Sequence, residues 1–181
     1  MIELIKNLFE HKSAALLGFG REGRSTYRLI RSVLPEKPLT IIDENEEICN
    51  DNMFLDDMHV KFITGKDCMD SIDDFEIAVK SPGIASNSLP THLKRVYLSS
   101  QTDIFLQAYG SQVIGITGTK GKSTTSSLIY HILKNAGKNT LLVGNIGIPP
   151  FDCVNDIKPD TLVVMELSSH QLEYVSHAPH I

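Results

Sequence analysis

The chain has 181 residues, of which 41% are hydrophobic and 22% charged, with a formal net charge of −5. That is enough for one large domain or two small ones with a real buried core, the balance of an ordinary soluble protein. The acidic charge and the lack of any basic run exclude nucleic acid as the expected partner. No membrane partner is expected either, since no apolar run approaches the ~20 residues that span a bilayer.

In chain order, the opening "MIELIKNLFEHK" is amphipathic and acidic, unlike a signal peptide. Short apolar runs then alternate with helix-like segments. Strands are predicted at "AALLGF" (14–19), "LTIID" (39–43), "VKFIT" (60–64), "FEIAVKS" (75–81), "QVIGIT" (112–117), "NTLLVG" (139–144) and "DTLVVMEL" (160–167). This alternation predicts α/β structure with largely parallel strands. A boundary is expected near Leu98 to Gln101, where "RVYLSSQTD" precedes a helix, "TDIFLQAYG", that Thr102 or Asp103 would cap. Residues 1–100 are read as one domain and 101–181 as a second. The three cysteines, Cys49, Cys68 and Cys153, form no C-x-x-C pair. They read as reduced thiols of a cytoplasmic protein, neither a disulfide framework nor a zinc site.

The first domain opens with "LLGFGREGRSTYRLI", in which Gly18, Gly20 and Gly23 make a G-x-G-x-x-G between a strand and a helix. Asp43 ends the next strand, 20 residues after Gly23, where a Rossmann unit places the acid that binds a ribose. Glycines let the backbone approach a diphosphate, and the helix N-terminus supplies N–H groups and a positive dipole. Alone, the pattern points to a dinucleotide such as NAD, to another nucleotide, or to a tight turn without ligand.

The second domain carries "VIGITGTKGKSTTSSLIYHIL" (113–133). The standard phosphate loop, G-x-x-x-x-G-K-[ST], should begin with Gly six positions before its Lys, but Ile116 stands there. The shortened loop keeps every group that touches phosphate. Backbone N–H groups of Gly118, Thr119, Lys120, Gly121, Lys122 and Ser123 can surround the oxygens. The Lys122 ammonium can neutralise the β and γ phosphates, and the Ser123 hydroxyl can ligate Mg²⁺. The helix after it places Leu128, Ile129, Ile132, Leu133 and Ala136 on one face, and Gly137 suits its C-terminal cap. Glu166 follows the apolar run Leu162 to Met165, where an acid beside a phosphate loop commonly holds magnesium or its water.

"GITGTKGKSTT" resembles the phosphate loop of the Mur ligases and their folylpolyglutamate synthase relatives. With "GFGREGRS", "KSPGIA", "VGNIGIP" and "ELSSHQLE" in that order, the whole chain is most similar to the branch that joins D-glutamate to UDP-N-acetylmuramoyl-L-alanine. The resemblance implies a Rossmann-like first domain followed by the start of a P-loop ATPase-like, parallel-sheet central domain. It assigns the diphosphate and uridine of the UDP-substrate to Gly20, Arg21, Glu22, Gly23, Asp43, Ser81, Pro82 and Gly83. Asn145 is expected to reach the muramoyl part, with Ser168 and Gln171 on the substrate side. Residues Gly118 to Thr124 would bind ATP, Ser123 and Glu166 would hold Mg²⁺, and Lys122 and Glu166 would be catalytic.

The implied chemistry is transfer of the ATP γ-phosphoryl group to the substrate carboxylate, then attack by the glutamate amine on the acyl phosphate. Two positions depart from the family pattern. Lys120 replaces the usual Asn, as a further cation beside the phosphates or as a solvated surface lysine. His170 replaces Phe and resembles relatives that add other amino acids, so another amino acid is an alternative. The family's next strand would begin at "SHAPHI", and its D-glutamate site would lie beyond residue 181. The chain is thus expected to be an N-terminal piece. A non-catalytic nucleotide-binding module and an NAD-dependent oxidoreductase are the rival readings; a phosphate loop has no use in hydride transfer.

Overall fold

The computed structural model describes residues 1–91 and 93–179, in two compact units, Met1–Ser100 and Gln101–Ile181. Both are α/β with parallel sheets, as the alternation of apolar runs predicts.

In the first unit, β1 (Ala14–Leu17), β2 (Leu39–Asp43), β3 (Val60–Thr64), β4 (Ile77–Lys80) and β5 (Tyr97–Ser100) form a sheet in the order β3-β2-β1-β4-β5. Every neighbouring pair is parallel. All four residues of β1 and of β4 are buried, which explains why the central strands read as apolar runs without alternation. Two helices, α1 (Ile2–Phe9) and α2 (Arg21–Val33), add to the core. From them Ile5, Phe9, Leu29 and Ile30 are buried.

A polar knot pins the end of α2. The Asp57 carboxylate accepts from the Tyr27 hydroxyl at 2.5 Å and from Arg31 Nε at 2.5 Å. Burial alone would raise Asp57, but these donors and the His59 N–H outweigh it and hold the carboxyl below its usual range. Burial and the same carboxylate push Tyr27 up to about 12.

The strand β5 has no counterpart among the predicted strands, which treated this stretch as the approach to a boundary. Its sequence, "YLSS", explains why. Tyr97 is 44% exposed and the buried residues are Ser99 and Ser100, so no apolar run marks an edge strand that pairs with β4 from Ile77 to Lys80.

The second unit contains α3 (Gln101–Tyr109), β6 (Val113–Ile116), α4 (Lys122–Asn135), β7 (Thr140–Gly144), β8 (Leu162–Glu166) and α5 (Ser169–Leu172). Its three strands are parallel in the order β6-β8-β7. The expected caps of α3 are corrected. Because β5 runs straight into the helix, Thr102 and Asp103 lie inside its first turn, 0% and 2% exposed. Asp103 accepts from the Ser176 N–H at 2.7 Å and the Ser176 hydroxyl at 2.8 Å, a tertiary tie instead of a local one.

The expected apolar face of α4 is also only half realised. Ile129 and Leu133 are half-buried, whereas Leu128 and Ile132 are 59% and 58% exposed and Ala136 is exposed. The helix packs on β7 and β8, and its one fully buried residue is the small Ser126. Gly137 closes α4 as expected. With φ +76° it lets the Lys138 N–H reach Leu133 O and its own N–H reach Lys134 O, both at 3.0 Å. Among the described residues, no helix is long and apolar enough to cross a membrane.

Candidate functional site

Parallel strands deliver their loops to one edge, and in the second unit that edge gathers the chemistry. The last residues of the three strands, Ile116, Glu166 and Gly144, are register partners. The glycine-rich loop "TGTKG" follows the first, "LSSHQ" the second and "NIGIPP" the third. Thus Glu166, on the middle strand, stands between the loop that follows Ile116 and Asn145.

The glycine-rich loop after β6 is open to solvent, with residues 117–121 all exposed. Gly121, at φ +78°, is the residue before the first turn of α4, a conformation an L side chain resists. It turns the chain so that the N–H groups of Lys122, Ser123 and Thr124 emerge at a helix N-terminus, where four N–H groups lack intrahelical partners. The Lys122 ammonium donates to Gly118 O at 2.8 Å and so folds back over the loop. Lys120 is exposed on the loop's crest.

Glu166 is 1% exposed. Its Oε1 accepts from Asn145 Nδ2 at 2.9 Å, while Oε2 is buried without a hydrogen-bond partner among the described residues. A buried carboxylate oxygen without a donor is costly unless a cation or a proton meets it. The donor set suits Mg²⁺, which takes one or two carboxylates and completes its shell with waters and substrate phosphates. Among the described residues no group of three or more His, Cys, Asp or Glu side chains could cage a metal alone. A cation here would therefore need oxygens from a ligand, and Ser123, in the first turn of α4, carries a hydroxyl of the right kind.

In the first unit the strand order reverses between β1 and β4, the point at which open α/β sheets bind ligands. Gly20 is the N-cap of α2, with Arg21 and Glu22 in its first turn. A Cβ on Gly23 would lie 2.2 Å from Gly18 O, so Gly23 is required for the turn to close against the helix. Asp43 organises the turn instead of standing free of it. Its Oδ2 accepts from the Phe19 N–H at 2.7 Å and its Oδ1 from the Asn45 N–H at 2.9 Å. Ser81, just after β4, donates its hydroxyl to Gly18 O at 2.9 Å, and Pro82 and Gly83 continue the rim. The strand ends thus bring Gly20, Gly23, Asp43 and Ser81 around one turn.

Two predicted substrate-side residues are occupied with each other. Ser168 caps α5 by accepting from the Gln171 N–H, and Gln171 Oε1 accepts from the Ser168 N–H at 2.9 Å. The spacing S-x-x-Q carried this signal. The bond from Asn145 to Glu166 had none, because it joins residues 21 apart through the register of β7 on β8.

Residues 116–179, from the end of β6 onward, match the Mur ligase middle domain. Over 175 residues the chain is 39% identical to the "UDP-N-acetylmuramoyl-L-alanine--L-glutamate ligase" of Xanthomonas euvesicatoria pv. vesicatoria (strain 85-10), covering 90% of this chain and 36% of that protein. Over 182 residues it is 30% identical to the "UDP-N-acetylmuramoylalanine--D-glutamate ligase" of Clostridium botulinum (strain Hall), covering 97% of this chain and 39% of that one. A solved Neisseria meningitides structure, a UDP-N-acetylmuramate:L-alanyl-gamma-D-glutamyl-meso-diaminopimelate ligase, aligns at TM-score 0.42 and 17% identity, covering 86% of this chain and 52% of that one. The resemblance read from the motifs holds on the family model and the curated relatives: residues 116–179 match the Mur ligase middle domain, and over nine-tenths of its length the chain is similar to ligases named for glutamate. It spans little more than a third of the curated relatives it matches.

Proposed function

We propose that this relative of the Mur ligases supplies the UDP-substrate and ATP sites of a cytoplasmic, ATP-dependent ligase that joins glutamate to UDP-N-acetylmuramoyl-L-alanine. The observation that carries the reading is the buried, unpartnered Oε2 of Glu166 at the strand end beside a phosphate loop. Gly118, Thr119, Lys120, Gly121, Lys122, Ser123 and Thr124 bind the phosphates. Ser123 and Glu166 hold Mg²⁺, which when bound neutralises phosphate charge during γ-phosphoryl transfer to the substrate carboxylate. Lys122 swings from Gly118 O to the phosphates and orients them. The glycine-rich turn, with Arg21, Glu22, Asp43, Ser81, Pro82 and Gly83, holds the uridine diphosphate. Residues 1–100 are then the UDP-substrate domain and 101–181 the beginning of the ATP-binding one.

The amino acid is D-glutamate on the motif set. L-glutamate is the second reading, favoured by the higher identity to a ligase named for it. Glutamate-dependent phosphate release, measured with each enantiomer on a protein extended to the relatives' full length, separates the two.

Calorimetric titration tests the sites directly. The chain is expected to bind Mg-ATP and UDP-N-acetylmuramoyl-L-alanine and to ignore NADH. Tight NADH binding without response to the uridine compound would refute the reading. Gly20 sharpens the test, because a Cβ there meets nothing within 4 Å. Gly20→Ala should melt like the wild type yet lose about tenfold in UDP affinity, the equivalent of ~1.4 kcal/mol, as the methyl holds the diphosphate off the backbone. Unchanged UDP affinity in that variant would remove the turn from the site.

A further inference from the structure

We propose that Asn145 is a positioning residue for Glu166, holding its carboxylate so that one oxygen alone, Oε2, is presented to a divalent cation. The inference rests on the ATP-and-cation reading of this site and adds to it a role for Asn145 distinct from contact with the muramoyl group.

The geometry is local and double. The Asn145 N–H donates to Glu166 O at 3.0 Å, and its side-chain Nδ2 donates to Glu166 Oε1 at 2.9 Å. One residue thus grips both the main chain and the carboxylate of Glu166. With Oε1 taken, rotation about the carboxylate bond would break a charge-assisted hydrogen bond, so the plane of the group is fixed. The remaining oxygen is buried and has no donor among the described residues. Such a carboxylate is a one-oxygen ligand, the kind that Mg²⁺ with its strict octahedral shell accepts, whereas a free carboxylate could also bind bidentately.

The loop that carries Asn145 is built to hold it still. Gly144 N–H donates to Ile148 O at 3.0 Å, and Val143 and Ile148 form an isolated bridge. The chain after β7 therefore doubles back at once. Asn145 itself is exposed, so it contributes little to packing. Its amide is spent on the carboxylate and not on the core. Partners of metal-ligating groups commonly orient their ligands in this way, and their loss costs 10–100-fold in metal affinity or activity.

The test uses the 181-residue chain, with Mn²⁺ as the probe cation and two variants, Asn145→Ala and the near-isosteric Asn145→Leu. ATP affinity is measured by calorimetry with Mn²⁺ and again in EDTA, with melting temperatures recorded for each protein. Both variants should lose about tenfold in Mn-ATP affinity, the lower end of the range for such partners, while affinity for ATP in EDTA and the melting temperature stay at wild-type values. Unchanged Mn-ATP affinity in either variant overturns the proposal. So does weaker binding of UDP-N-acetylmuramoyl-L-alanine with Mn-ATP unaffected, which would make Asn145 a substrate contact only. If Mn²⁺ fails to tighten ATP binding by the wild type, the cation reading of the site falls, and this inference with it.

Discussion

Lys122→Ala is expected to cut Mg-ATP affinity by roughly 10–100-fold, the loss of a hydrogen bond to a charged group worth ~1.5–3 kcal/mol, while leaving the fold intact. The side chain is half-buried and, among the described residues, its ammonium is hydrogen-bonded to Gly118 O alone, so its removal breaks one solvent-accessible bond. The helix behind it is held by other contacts: α4 packs on β7 and β8, and Ser126 donates to the Lys122 carbonyl, which the substitution keeps. The binding loss should shrink as salt is raised, because exposed charges are screened within about 8–10 Å at 0.1–0.15 M. In a ligase of full length, turnover should fall further than affinity, since charge neutralisation matters most while the phosphoryl group is in transfer. Calorimetry with Mg-ATP and a thermal melt decide the case. A variant with wild-type ATP affinity would mean that the loop binds no phosphate.

How much of this was legible in the sequence depends on how local the cause is. The buried parallel strands were legible because both their faces are covered, so β1 reads as an unbroken apolar run, and β4 and β8 do so up to their last residues, Lys80 and Glu166. Gly23 and Gly121 announce themselves because backbone position alone dictates them: one abuts Gly18 O and the other turns at φ +78°. Edge strand β5 was hidden, since Ser99 and Ser100 owe their burial to tertiary packing that composition does not encode. The α4 stripe misled for the opposite reason. Its spacing is helical, but the helix meets the sheet along a side that includes Ser126, leaving Leu128 and Ile132 outside. Glu166 was legible as an acid ending a strand. Its bond to Asn145 was not, because that pairing exists only through the register of β7 on β8.

The same junction supplies the largest expected effect on stability, from Gly144→Ala. Gly144 ends β7 at φ +98°, and a Cβ there would sit 2.3 Å from Glu166 O, with the Glu166 carbonyl carbon and nitrogen at 3.2 and 3.3 Å. All three are backbone atoms of the central strand, paired on both sides, so none can rotate away. Gly137→Ala is the natural control: its φ of +76° is similarly strained for a side chain, but a Cβ meets nothing within 4 Å. Gly137→Ala should thus lose only the conformational part, about 1–2 kcal/mol. Gly144→Ala should lose that and the clash, on the order of 4 kcal/mol or more, a large fraction of the 5–15 kcal/mol typical of a domain. Hydrogen exchange of peptides from 162–166 should accelerate strongly in Gly144→Ala and little in Gly137→Ala. Peptides from the first unit, Met1–Ser100, should report whether the loss stays within the second. Because Asn145 follows directly, even a partly folded Gly144→Ala should bind Mg-ATP weakly, its amide displaced from Glu166. Should the two variants melt within about 2 °C of each other, a difference under ~1 kcal/mol at this chain length, the close approach of Gly144 to Glu166 would be wrong.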